Sequence, residues 1–392
     1  MTYPTLHLRP GQGRRIGLGH PWAFSNEVRM DPAAKALEPG ALVRLASAEG
    51  KPLGTAMFNP HSLIAARLFT RDAEATIDRA FLQARLASAL ALRERLFAAP
   101  CYRLVHGEAD DLPGLVIDRY GDALSVQVNA AGMERLLPEL LQALDALLGP
   151  RAVVLRNDGG ARGLEHLESY VRVAKGALDG PVEGESDGVR FLADLAGGQK
   201  TGWFFDQAPA RRLVAGLARD RRVLDVYCHT GGFALAAAKA GARDVLALDS
   251  SAEALELAAR SARLNDVAVR FDKTDAFSAL AARGQGGERW DIVVCDPPSF
   301  VKSKRDYESG IRGYRKLARL AAVLVEPGGL LLLASCSYHV DPPGFAAEIA
   351  RGIAAAGRSG RILWSGGAGP DHPTHPMLPE TAYLKWQVLQ LD

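Results

Sequence analysis

Between Arg222 and Asp249 the chain reads RVLDVYCHTGGFALAAAKAGARDVLALD, a strand, a glycine turn, a helix and a second strand. Nothing else in the chain restricts the fold as strongly. Val223, Leu224 and Val226 form a short apolar run, and Gly231-Gly232 then gives a turn in which no side chain blocks a ligand. Phe233 to Ala240 is alanine-rich and therefore helical, so that a ligand can lie against the helix N-terminus. Leu246, Ala247 and Leu248 make the second strand, closed by Asp249, which is placed like the acid that takes ribose hydroxyls in nucleotide-binding β-α-β units. A buried β-α-β unit that binds nothing has the same pattern.

The turn lacks G-x-G-x-x-G and reads instead Asp225-x5-Gly231-Gly232-Phe233, which argues against a nicotinamide cofactor. An acid at the end of each of two successive strands resembles motifs I and II of class I S-adenosylmethionine-dependent methyltransferases. Beyond Asp249 the chain alternates between helix and strand: helix Ala252 to Asn265, strand Val269 to Asp272 with Asp275 just after it, strand Trp290 to Cys295, helix Tyr314 to Leu324 stopped by Glu326-Pro327-Gly328-Gly329, and strand Leu330 to Ala334. This predicts a parallel sheet with helices on both faces. Just upstream, Gln199 to Gln207 enters a helix with Asp206 as N-cap and Pro209 in the first turn.

At 392 residues the chain has room for two or three domains. Residues 1 to 72 carry turn signals at Pro10-Gly11, Pro39-Gly40 and Asn59-Pro60 between strand-like runs such as Ala41 to Leu45 and Leu63 to Phe69, a small β domain. That segment is basic, with nine lysines and arginines against five acids. Arg9, Arg14, Arg15 and His20-Pro21-Trp22 suit contact with phosphates and bases, and equally a solvated turn beside a core tryptophan. From Ile77 to Leu96, Phe81, Leu82, Leu86, Leu90, Leu92 and Leu96 mark an amphipathic helix that opens a mixed α/β segment. Glu108, Asp110 and Asp111 there read as a polar turn rather than a metal cluster. The Gly- and acid-rich stretch Gly176 to Gly188 marks the last boundary, giving segments 1–72, 73–178 and 179–392.

No apolar run approaches the ~20 residues of a membrane span, and the N-terminus lacks a signal peptide's regions, so a cytoplasmic protein with no membrane partner is expected. Cys101, Cys228, Cys295 and Cys336 lie far apart with no C-x-x-C, which argues against a metal site or disulfides.

Ligands in such a sheet gather at the carboxyl ends of the strands. There Asp296-Pro297-Pro298 follows WDIVVC, with prolines that fix the backbone around a pocket for a flat base. Cys336 follows LLLLAS. It reads either as a small buried hydrophobe or as a nucleophile for C6 of a pyrimidine, whereas the hydrophobe reading is preferred for the other three cysteines. Lys302, Lys304, Arg305, Arg312, Arg315, Lys316 and Arg319 come soon after and suit either an RNA path or a solvated helix face.

Taken together, Gly19-His20-Pro21-Trp22, Leu112-Pro113-Gly114-Leu115, Lys200-Thr201-Gly202, Asp206-Gln207, Thr230-Gly231-Gly232-Phe233, Asp296-Pro297-Pro298, Ser335-Cys336-Ser337 and Asp371-His372-Pro373 resemble the bacterial large-subunit (23S) ribosomal RNA cytosine-C5 methyltransferase family over nearly the whole length. The resemblance implies an α/β protein in which a Rossmann-like class I methyltransferase domain follows a small β-barrel PUA domain and a central mixed α/β domain. It implies S-adenosylmethionine as cofactor, held by Asp206, Gln207, Asp225, Tyr227, Thr230, Gly231, Gly232, Asp249 and Asp275, the last two on ribose and adenine. Cys336 would be the covalent nucleophile and Asp296 would assist proton movement, while Pro297, Pro298, Lys302, Lys304 and Arg305 would meet the ribosomal RNA. No metal is implied, and a homodimer is compatible with it. The chain departs from better-known RNA cytosine-C5 methyltransferases at Ser299, where they carry a second cysteine, so the group that removes the C5 proton is not assigned by resemblance. An RNA N-methyltransferase acting on an exocyclic amine would need the cofactor site and the Asp-Pro-Pro pocket but not Cys336, and a noncatalytic RNA-binding protein would need neither.

Overall fold

The computed structural model describes residues 3–198 and 202–392. Gln199, Lys200 and Thr201, part of two sequence motifs, lie outside the described residues. The chain divides into two compact units, one comprising Met1–Val182, Leu195–Thr201 and Pro370–Pro379, the other Glu183–Asp194, Gly202–Gly369 and Glu380–Asp392.

The first unit holds two five-stranded sheets. In the N-terminal one, Thr5–His7 pairs in parallel with Ala41–Ala46, and antiparallel neighbours Pro52–Phe58, Ala66–Thr70 and Trp22–Ala23 continue across the sheet. In the second, the strands lie in the order Tyr170–Lys175, Ala152–Asn157, Ala123–Val128, Leu115–Tyr120 and Cys101–His106. Helix Arg79–Leu96 begins where the Asp78 carboxylate accepts from Phe81 N at 2.9 Å, and buries Leu82, Leu86, Ala89 and Arg93. The stripe thus ends on an arginine, while Leu92 and Leu96, expected in it, are exposed. Arg93 can be buried because both carboxylate oxygens of Asp110 accept from its guanidinium. Glu108 and Asp111 are likewise taken up by Arg67 and Arg85, so the acidic turn is held by arginines. In the N-terminal motif Trp22 Nε1 donates to Glu108 at 2.7 Å and Arg15 pairs with Glu27 at 2.8 Å, while Arg9, Arg14 and Arg15 stay exposed.

The second unit is built on seven strands, β1 (Arg222–Val226), β2 (Asp244–Asp249), β3 (Arg270–Lys273), β4 (Trp290–Cys295), β5 (Val325–Ser335), β6 (Gly360–Gly366) and β7 (Lys385–Leu391), in the order β3-β2-β1-β4-β5-β7-β6. The first five are parallel, and β7 runs antiparallel between β5 and β6. They are accompanied by α1 (Ala208–Leu217), α2 (Gly232–Lys239), α3 (Ala252–Leu264), α4 (Ala276–Gln285), α5 (Tyr307–Val323) and α6 (Pro342–Ala355). Alternation along each strand sorts the core into two layers. Leu224, Val226, Val293 and Leu331 pack with α5 residues Tyr314, Leu317 and Ala318, whereas Val223, Ile292, Val294 and Leu332 pack with Val214, Phe233 and Ala234 from α1 and α2.

Glu326-Pro327-Gly328-Gly329 does not stop a helix. The helix has already ended at Val323, and the tetrapeptide is a bulge inside β5: Trp290 is opposite Val325, and Ile292 opposite Leu330. Nor is Asp206 an N-cap. It lies in a short 3-10 turn, Phe205–Gln207, ahead of α1, where no side chain caps the helix. Among the described residues no helix is long and apolar enough to cross a membrane.

Candidate active site

Among the five parallel strands β1 is central, with β2 and β3 on one side and β4 and β5 on the other, so the crevice at the carboxyl ends opens where the connections diverge. The loop leaving β1 is held in an uncommon backbone conformation. Tyr227 and His229 adopt φ of 65° and 49°, and Gly231 adopts 85°. Non-glycine residues at positive φ are costly and must be held by their surroundings. Asp249 does part of this: one carboxylate oxygen accepts from His229 N at 2.8 Å and the other from Ser251 N at 2.9 Å. The strand-end acid therefore joins the loops after β1 and β2. The two glycines serve packing as well as access, since a Cβ at Gly231 would stand 3.1 Å from Ala258 Cβ and one at Gly232 3.2 Å from the Arg211 chain. The turn is thus less open than the sequence suggested.

Asp225 shares a strand face with Val223, under α2. One oxygen accepts from Ala234 N in the helix's first turn at 2.9 Å, and the other is buried with no partner among the described residues. Burial, with Asp296 and Asp249 adding negative charge, pushes its carboxyl up to about 8 against the pull of the Ala234 hydrogen bond.

The segment before α1 lies against the same loop. The Phe204 ring meets His229 edge-on at 5.0 Å, and Trp203 stacks on Phe191 at 3.9 Å beneath the Arg211 guanidinium. Asp206 and Gln207 are buried here. Tyr383 OH donates to one Asp206 oxygen at 2.6 Å, but the other Asp206 oxygen and the Gln207 carbonyl have no partner among the described residues. Buried acceptors are normally satisfied. The unpartnered oxygens on Asp206, Gln207 and Asp225 fit a ligand rich in donors and positive charge, and S-adenosylmethionine brings an ammonium, a sulfonium and ribose hydroxyls. Thr230 is buried beside His229, its hydroxyl 3.3 Å from the ring nitrogen. Asp275 caps α4 through Ser278 N at 2.9 Å, and both it and Asp249 lie close enough to Tyr227 to oppose ionisation of that phenol, which burial already disfavours.

On the other side of β1, Asp296 comes directly after β4, its N–H on Val226 O at 3.3 Å; Pro297 is buried and Pro298 exposed. Cys101, Cys228 and Cys295 are buried, and burial pushes the Cys228 and Cys295 thiols up, as expected of small core hydrophobes. Cys336 is partly exposed at the end of β5. Its neighbours form a hydroxyl network: Ser335 Oγ donates to Tyr314 OH at 2.9 Å, Tyr314 OH meets Ser337 Oγ at 2.6 Å, and Ser337 Oγ meets Ser299 Oγ at 2.9 Å. Ser299 also donates to Val301 O at 3.0 Å, so this hydroxyl ties the loop after Asp296 to the loop carrying Cys336.

Lys302, Lys304 and Arg305 stand exposed just beyond Pro298. Arg315 does not join them, since Glu348 takes it at 2.6 Å, and Lys316 lies over the Phe277 ring at 4.7 Å. Sequence reading missed Tyr314, Tyr383 and Lys385. Lys385 had one signal, a lone charge near the start of the strand-like run LKWQVLQL.

The family of PUA-like domains matches residues 6–71, and that of S-adenosylmethionine-dependent methyltransferases residues 178–361. The ribosomal RNA large subunit methyltransferase I of Cronobacter sakazakii (strain ATCC BAA-894) is 36% identical over 392 residues, spanning 97% of each chain. That of Tolumonas auensis is 35% identical over 394 residues, spanning 98% of this chain and 99% of its own. Among solved structures, SMU.776, described as a methyltransferase complexed with SAH, matches with a TM-score of 0.83 at 18% identity over the full length of both chains. An S-adenosylmethionine-dependent methyltransferase from Agrobacterium tumefaciens matches with a TM-score of 0.53 at 18% identity, over 75% of this chain and 90% of its own. At these identities the structural likeness bears on the fold alone.

Proposed function

Because the chain belongs to the ribosomal RNA large subunit methyltransferase I family, we propose that this S-adenosylmethionine-dependent enzyme methylates C5 of a cytosine in large-subunit (23S) ribosomal RNA by way of a covalent bond from Cys336 to C6 of the base. The observation that carries the reading is the placement of Cys336, the partly exposed thiol of the four, at the end of β5, with Asp296 at the end of the adjoining β4. Asp206, Gln207, Asp225, Tyr227, Thr230, Gly231, Gly232, Asp249 and Asp275 would hold the cofactor, which supplies an electrophilic methyl group when bound. The Cys336 thiolate adds to C6 of a base that is flipped or presented unpaired, which makes C5 electron-rich. Asp296 assists proton movement on that base. With the methyl group on C5, the C5 proton would pass to a base, its bonding pair would re-form the C5–C6 double bond, and the C6–S pair would return to sulfur, freeing the Cys336 thiolate. Pro297 and Pro298 shape the base pocket, and Lys302, Lys304 and Arg305 lead RNA to it. Residues 1–72 would act as a PUA-like RNA-binding part, 73–178 as a central α/β part and 179–392 as the methyltransferase.

Wild-type protein is expected to trap RNA containing 5-fluorocytosine as an adduct that survives denaturing electrophoresis, and Cys336→Ala to abolish methyl transfer while retaining cofactor binding. If Cys336→Ala methylates at a normal rate and no adduct forms, the cytosine-C5 reading is wrong and methylation of an exocyclic amine replaces it.

A further inference from the structure

Lys385 opens β7 directly opposite Ser335, the last residue of β5 before Cys336. It is buried, 7% exposed, and its ammonium donates to two main-chain carbonyls of the loop that carries the thiol, Ser337 O at 2.5 Å and Val340 O at 2.6 Å. No carboxylate makes an ion pair with it among the described residues. A buried cation normally has an anionic partner. Two anions bear on this one, the Asp341 carboxylate and the thiolate of Cys336, which stands in sequence between Ser335, the residue opposite Lys385, and Ser337, whose carbonyl Lys385 holds.

We propose that Lys385 is a positioning residue for the nucleophile, fixing the loop after β5 through Ser337 and Val340 and supplying the positive charge that keeps Cys336 ionised near neutral pH. The inference rests on the reading of Cys336 as the nucleophile. It answers a physical requirement of that reading, because a thiol of ordinary acidity is only a few per cent thiolate at neutral pH.

The other titratable groups named around the thiol are acids, phenols and a histidine, none of them a permanent cation. Asp296 ends the neighbouring strand and Asp341 caps α6 through Gly344 N at 2.7 Å; both are acids and oppose a thiolate. Tyr314 reaches up from α5 into the serine network, and burial makes its phenol harder to ionise. Tyr338 and His339 lie on the thiol's own loop, ring against ring at 5.5 Å. Lys385 is itself held down to about 8, first by burial, while Cys336 and Asp341 act in the opposite direction, the sign expected for an ammonium beside a thiolate.

The test uses the full-length protein without RNA or cofactor: the rate of iodoacetamide alkylation of Cys336 against pH, measured on its own peptide by mass spectrometry. In the wild type the midpoint should fall below the ordinary value of about 8.5. Lys385→Gln, which keeps amide donors for the two carbonyls but carries no charge, should raise it by about one to two units and slow alkylation at pH 7 about tenfold or more. Lys385→Arg should restore a midpoint close to the wild type. A wild-type midpoint at or above the ordinary value overturns the proposal without any variant, so it stays falsifiable even if Lys385→Gln does not fold. A folded Lys385→Gln protein with an unmoved midpoint overturns it too. Absence of a 5-fluorocytosine adduct would instead count against the nucleophile itself, so the two failures are distinct.

Discussion

Replacing Asp225 with asparagine should stabilise the cofactor-free protein while weakening its hold on the cofactor. Asp225 is 1% exposed, and its carboxyl is raised from 3.8 to about 8, mainly by burial. A raised folded-state value means that between those limits the folded chain binds more protons than the unfolded one, so stability falls as pH rises through that window, by ~1.4 kcal/mol per unit. At pH 7 the accumulated loss is roughly 4 kcal/mol. Asparagine has the shape of the neutral carboxyl and can still accept from Ala234 N, but it leaves an amide N–H where Asp225 leaves an unpartnered oxygen, at a cost of about 1–3 kcal/mol. The net expectation at pH 7 is therefore a gain of about 1–3 kcal/mol. Urea unfolding monitored by tryptophan fluorescence is a suitable assay, because Trp203, Trp290, Trp364 and Trp386 all lie in the seven-stranded unit. The difference between variant and wild type should widen by about 4 kcal/mol from pH 5 to pH 8. Calorimetry should show S-adenosylmethionine affinity reduced about tenfold to a hundredfold, the loss of one charge-assisted hydrogen bond. A variant whose stability difference does not change with pH would refute the assignment of a buried, proton-holding Asp225. One that binds the cofactor normally would remove it from the cofactor site.

Asp249→Ala should weaken S-adenosylmethionine binding by a similar tenfold to hundredfold, and unchanged affinity in calorimetry would place the ribose elsewhere. Neutralising Lys302, Lys304 and Arg305 together should lower the salt slope of log RNA affinity by about 0.7 for each phosphate that is no longer neutralised, and an unaltered slope would exclude this path for RNA. His106 is lowered from 6.5 to about 2 by burial, with Arg103 the next contributor. The unfolded chain therefore binds a proton that the folded chain refuses, and stability should fall by ~1.4 kcal/mol per unit as pH drops below 6.5. His106→Phe should flatten the acid limb of an unfolding curve by that slope, and an unchanged limb would show that other groups set it.

The N-terminal segment does not offer a clean deletion test. Met57 and Phe69 from its strands sit in the same core cluster as Leu82, Leu86 and Leu115, so removing residues 1–72 would expose part of the central segment's core. Point changes at exposed positions such as Arg14 are the better probe of its contribution to RNA binding.

What the sequence alone determined was local and periodic. Val223, Leu224 and Val226, the glycine pair and the alanine-rich stretch after it already specify strand, turn and helix, because each depends on neighbours a few residues away. Asp249, Asp296 and Cys336 could be found at strand ends for the same reason: an apolar run that stops at a polar residue marks the end of a strand, whereas Asp225, expected at the end of the first strand, lies inside β1 before Val226. Tertiary structure decided what depends on distant segments. The turn before α1, which carries the unpartnered oxygens of Asp206 and Gln207, meets the loop after β1 only in the folded chain, where Phe204 packs on His229. Nothing local announces the left-handed Tyr227 and His229, which are held through Asp249. The bulge in β5 looked like a helix stop because proline and glycine end helices and bulge strands alike, and the choice depends on pairing with β4. Lys385 reaches the neighbourhood of Cys336 only because the last strand turns back antiparallel and inserts beside β5. Long-range strand pairing of that kind leaves no periodic trace in a single chain.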